Sequence, residues 1–186
     1  LGRYVGAEVA IRAFIEKRPD DVRGWAMLAH CCRKAKRLGL AEENCKKALE
    51  IDSKNRQALI HFARIAHDQG DYFLAEERWR EVRKIEPGNY AALMGIARAC
   101  FKRGDHHVGQ EMLQELIDSE VHKHRIWPYV ELINMAFNYL ADYKYTVELC
   151  RSLFENVGAG IQNHKHLEHI PVCHIGLCLS KLGKFD

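Results

Sequence analysis

Ala7, Ala41, Ala75 and Gly109 recur along the chain at steps of 34 residues (41−7, 75−41, 109−75). A recurrence of that length commits a sequence to stacked copies of one supersecondary unit. The copy with the plainest signals is 56–89, RQALIHFARIAHDQGDYFLAEERWREVRKIEPGN. Within it Leu59, Phe62, Ala63 and Ala66 fall at three-to-four spacing, as do Tyr72, Ala75, Trp79 and Val82 after a Gly-Asp-Tyr break, and Glu-Pro-Gly stops the pattern. Such spacing lines up one apolar face on each of two helices. Either helix alone would leave its stripe in water, so the two close as a hairpin and the hairpins stack.

Position by position, residues 56–89 resemble a tetratricopeptide repeat. Leu59 stands where that repeat usually has Trp, and Ala63, Gly70, Tyr72, Ala75, Trp79 and Pro87 follow. The preceding unit offers Trp25, Leu28, Ala29, Ala41 and Ala48, with Ser53 in place of proline; the following one offers Ile96, Ala97, Gly104, Gly109 and Leu113, with His106 in place of tyrosine. The resemblance implies an all-α fold, an α-α superhelix of antiparallel hairpins, in which these residues pack helices and perform no chemistry.

The expected organisation is one elongated repeat domain spanning 1–186: a half repeat at 1–21, repeats at 22–55, 56–89 and 90–126, a fourth at 127–168 with an insertion, and a half repeat at 169–186. The register slips twice. Gly104 to Ala141 spans 37 residues, three too many, which we expect near Glu120 to Leu132; Ala141 to Gly183 spans 42, eight too many, expected near Ile161 to Glu168. A chain that opens on a second helix and closes on a first reads as a piece of a longer array, so association through uncapped ends is a further expectation.

A balance of 28 basic and 25 acidic residues, net +3, gives no bulk field for nucleic acid. No run of 18 apolar residues and no signal-peptide pattern occurs, so no membrane partner is expected. Seven cysteines are an odd number, and Cys32, Cys100, Cys45 and Cys150 fall on inward positions, so they read as small core residues in a reducing cytoplasm.

Chemistry is sparse. No nucleophile elbow, phosphate-cradling glycine loop or His-Glu-x-x-His helix is present, so no enzyme and no cofactor are expected. Glu42 and Glu43, like Glu76 and Glu77, read as solvated helix faces. Histidines gather in both insertions (His122 and His124, then His164, His166 and His169, with Cys173 and His174 beyond), yet their spacing matches no closed zinc pattern and they read as solvated loops.

The resemblance places the outward residues of the first helices along a groove that takes a partner peptide or protein. One such position gives His30, Arg64 and Arg98 at steps of 34; neighbouring positions add Arg23, Arg33, Lys34, His61, His67 and Lys102 against one acid, Asp68. This half suits an acidic segment. Farther on, the same reading gives Leu132, Met135, Tyr139 and Leu177, an apolar half. Chaperone-binding relatives grip a terminal carboxylate partly with two asparagines, whose places His30 and His61 take here. The alternative reading is an accessory repeat region of a larger enzyme, such as a glycosyltransferase or sulfotransferase.

Overall fold

A computed structural model describes residues 2–157 and 169–183, with the side chains of 2–5 and 169–172 left aside. The described residues form helices and turns with no strand: α1 (Gly2–Lys17), α2 (Val22–Lys34), α3 (Leu38–Ile51), α4 (Arg56–Gln69), α5 (Tyr72–Ile85), α6 (Tyr90–Arg103), α7 (His106–Asp118), α8 (Ile126–Met135) continued by a π turn (Ala136–Leu140), α9 (Tyr143–Val157) and α10 (His169–Lys181). This is the all-α helical-hairpin repeat expected from the 34-residue period. The chain divides into two compact units, 1–105 and 106–186.

Short polar residues start α4, α5 and α6. Asn55 Oδ1 accepts from the Ala58 amide at 3.1 Å, Asp71 Oδ1 from Leu74 at 3.0 Å, and Asn89 Oδ1 from Ala92 at 3.0 Å. Each satisfies a backbone donor that has no partner inside the helix. The stops recur too: Lys36, Gly70, Gly104 and Ala141 all take a positive φ, at 62°, 84°, 89° and 50°. Behind them Arg37, Asp71 and Asp105 each donate to a carbonyl five residues back, the bond that closes a helix with a left-handed residue.

In the first unit the stripes meet as designed by the pattern. Ile11, Leu28, Cys32, Cys45, Phe62 and Ile65 share one apolar cluster. Trp79 is 4% exposed, and its indole lies so near Gly95 that a Cβ there would sit 2.3 Å from Cε2. Beside Leu59 the surface opens into a cleft of about 560 Å³ lined by Ser53, Lys54, Leu59, Glu81, Lys84 and Ile85. All seven cysteines are free; six are buried and Cys173 is exposed. Burial pushes the Cys45 thiol up to about 12 and the Cys100 thiol up to about 11, so both stay protonated as small core side chains.

Two glutamates expected on solvated faces are not there. Glu76 is buried, and Glu42 is partly covered, whereas Glu43 and Glu77 are exposed. Glu8, Glu42 and Glu76 stand 34 residues apart (42−8, 76−42) and repeat one arrangement. Each pairs with the base four residues on, Arg12 at 2.8 Å, Lys46 at 2.7 Å and Arg80 at 2.7 Å. Each also accepts from the end of the next first helix or the turn after it: Arg37, Gln69 at 2.9 Å, and Arg103. Arg103 further lies 3.8 Å over the Phe73 ring.

In the second unit the three extra residues are not all where the sequence placed them. The step from the start of α6 to that of α8 is 36 (126−90), so two lie in the 119–125 turn; the third is inside the helix, in the π turn. There the closing bond runs from Asp142 to Ala136, six residues back instead of five. A π turn is the usual way for a helix to absorb one residue. The second insertion, near 161–168, lies outside the described residues.

Candidate functional site

In the first unit α2 packs beside α4 and α4 beside α6, so the first helices present their outward residues on one face. The predicted basic residues are there, but their charges are not equally available. Arg23 is exposed and bound to Asp21 at 2.6 Å, which holds the Asp21 carboxyl down at about 2. Arg33 spends its charge on Asp68 at 2.7 Å. Lys34, Arg98 and Lys102 are exposed.

Arg64 is different: half-buried, it makes no ion pair among the described residues and lies 5.9 Å over the Trp79 ring. Burial, then the nearby Arg33, lowers its pKa. Beside it the rings of His30 and His61 sit with centroids 4.9 Å apart at 47°. Burial holds His61 down at about 4, with His30, Arg64 and Arg33 adding repulsion; burial, then Arg33, Lys34 and Arg64, lowers His30. Both imidazoles are therefore neutral at pH 7. His67 meets Tyr72 edge-on at 5.4 Å, and burial lowers its pKa as well.

The second unit corrects the apolar half. Leu132 and Met135 are 0% and 2% exposed, so they are core and line no groove, whereas Tyr139 is 66% exposed and stacks on His106 at 4.6 Å. The reason is the π turn. Before it the offset from α6 is 36, so Leu132 matches buried Ile96 and Met135 matches buried Ala99; after it the offset is 37, and Tyr139 matches exposed Lys102. One residue of error turns a helix position by about 100°. With the right offset, Glu131 and Asn134 take the places of Gly95 and Arg98.

Sequence reasoning also missed the column Met27, His61, Gly95, which 34-residue steps would have exposed. Met27 is 56% exposed, and Gly95 leaves room for the Trp79 indole beneath Arg64. As for the histidine loops, His124 Nδ1 lies 2.7 Å from the Asn156 carbonyl oxygen and His174 meets Phe137 edge-on. His164 and His166 lie outside the described residues. Among the described residues no group of three or more His, Cys, Asp or Glu side chains could hold a metal ion. Nor is any helix among them long and apolar enough to cross a membrane.

Among curated proteins no sequence match reaches significance. Solved structures do match the fold. YrrB, described as a TPR protein with an unusual peptide-binding site, is 13% identical, with a TM-score of 0.73 over 95% of this chain and 86% of that one. PilF of Pseudomonas aeruginosa is 19% identical, TM-score 0.74, over 97% and 85%. MamA (residue 41 to its end) from Desulfovibrio magneticus RS-1 is 16% identical, TM-score 0.75, over 83% and 85%. Tetratricopeptide repeat profiles match residues 22–55 and 62–107. Period, hairpins and matches agree: residues 22–55 and 62–107 are tetratricopeptide repeats, and the chain has the fold of a tetratricopeptide repeat protein.

Proposed function

We propose that this protein-interaction scaffold holds an acidic segment of a partner polypeptide against the α2, α4 and α6 face of its first unit. The observation that carries the reading is Arg64, a half-buried guanidinium with no carboxylate opposite it among the described residues. The one acid on the face, Asp68, is already paired with Arg33. Taking a cation out of water without a counter-charge is unfavourable, and an acidic ligand would offset that cost. Peptide binding by YrrB is in keeping with this use of the fold. A reducing compartment such as the cytoplasm fits seven free thiols.

Charge alone is too weak for a stable complex. Exposed ion pairs contribute about 0.2–1 kcal/mol each, so four supply roughly 1–4 kcal/mol, against about 8 kcal/mol for a micromolar Kd. Exposed Met27 is an apolar anchor on the same face. Fluorescence anisotropy with a labelled Glu-rich peptide should show binding that weakens steeply with salt. Reversing Arg64 and Arg98 to Glu should weaken it and flatten the salt dependence; unchanged affinity at low salt would refute the proposal.

A further inference from the structure

Resting on that reading of the first unit, we propose that His30, His61, Arg33 and Arg64 form a seat for a phosphorylated side chain of the bound segment, and that filling it takes up a proton. The two rings, 4.9 Å apart, come from adjacent helices, and each has an arginine three residues farther along its own helix. Buried Nδ1 atoms on both rings, and Nε of Arg33, meet no hydrogen-bond partner among the described residues. Polar atoms buried without a partner are uncommon in a settled surface.

Charge matching selects the ligand. The charges acting on the rings are Arg33 and Lys34 from α2 and Arg64 from α4; Asp68 of α4 pairs with Arg33, and Asp68, Arg98 and Lys102 act on His67. Asp68 cancels Arg33 and Lys34 is exposed to solvent, so with neutral imidazoles the half-buried positive charge at the centre of the seat is that of Arg64. A carboxylate would match that charge and leave the rings idle. A phosphate monoester brings about −1.5 to −2 charges and three acceptor oxygens. Its second charge is balanced when His30 or His61 takes a proton from solvent, since an imidazolium donates from both nitrogens. In the unliganded protein the surrounding cations and burial oppose that protonation; the dianion reverses the balance. The asparagine pair of carboxylate-gripping relatives has no proton to gain.

The test uses the whole chain with N-acetyl-phosphoserine amide and N-acetyl-aspartate amide as probes at fixed ionic strength. Histidine Cε1–H resonances follow occupancy, and calorimetry in two buffers of different ionisation enthalpy counts protons. Saturable phosphoserine binding at pH 7 is expected with uptake of about one proton, at least about tenfold tighter than aspartate. Arg64→Gln should weaken it about tenfold or more, and His30→Asn with His61→Asn should remove the proton uptake. No saturation up to 20 mM, aspartate binding as tight as phosphoserine, or binding without proton uptake would overturn the seat. Retained binding of the Glu-rich peptide in those cases would leave the acidic-segment reading standing.

Discussion

Replacing Gly95 by Ala should destabilise the first unit, although alanine is the better helix former. In a helix interior the change is worth about 0.5–1 kcal/mol in alanine's favour. At Gly95, however, a Cβ would lie 2.3, 2.4 and 2.5 Å from Cε2, Nε1 and Cδ2 of Trp79. Those are ring atoms of an indole only 4% exposed, so it cannot swing aside without vacating its place in the core. Overpacking of this kind costs about 1–3 kcal/mol, which leaves a net loss of roughly 1–2 kcal/mol. Trp79→Leu clears the ring, at a cost below the about 3–5 kcal/mol of a Trp→Ala change. In that background Gly95→Ala should become stabilising by about 0.5–1 kcal/mol, giving a coupling of about 2 kcal/mol. Urea unfolding of the four chains, followed by far-UV circular dichroism, measures the cycle. A Gly95→Ala chain as stable as its parent, or additive effects of the two changes, would show that Trp79 does not pack against α6 as described.

Two further outcomes follow from the backbone and from the histidines. Lys36→Gly and Ala141→Gly should each raise the melting temperature, by about 0.5–1.5 kcal/mol of stability, because both residues hold positive φ at positions where Gly70 and Gly104 serve without strain; a lower melting temperature for Ala141→Gly would count against the π-turn geometry. His61, held down at about 4 by burial, refuses a proton that the unfolded chain accepts below about pH 6.5, so stability is full above that pH and falls as pH drops toward 4, by at most about 1.4 kcal/mol per unit; His61→Asn should flatten the slope in chemical-denaturation curves between pH 6.5 and 4.5.

The sequence made the repeats legible because three signals at one period agreed: the apolar stripes, the small residues at Ala41 and Ala75, and the turn glycines Gly70 and Gly104. His30, Arg64 and Arg98 share that period too, which is why the sequence suggests a basic face. What it hid was local. A π turn leaves no residue signature in AFNYL, so the repeat pattern puts the extra residue upstream and turns Leu132 and Met135 outward. Which arginine is available also depends on partners: Arg33 and Arg64 look alike in sequence, and only the placement of Asp68 tells them apart. Glu76 reads as solvated in sequence because nothing in its own helix but Arg80 marks it, and Arg103, which covers it, lies 27 residues away.

The periodic glutamates bear on how unfolding spreads. Glu8, Glu42 and Glu76 each bind within their own helix and to the end of the next first helix or the turn after it, so their energy belongs to the junction between hairpins and not to any one of them. In a chain of near-identical units, junction terms set how far a local opening travels before it stops. With strong junctions, amide protons from α1 to α6 should exchange with one shared opening energy. Weakening the Glu76 junction would shorten that correlation length, and α6 would then open on its own while the helices before it stay closed.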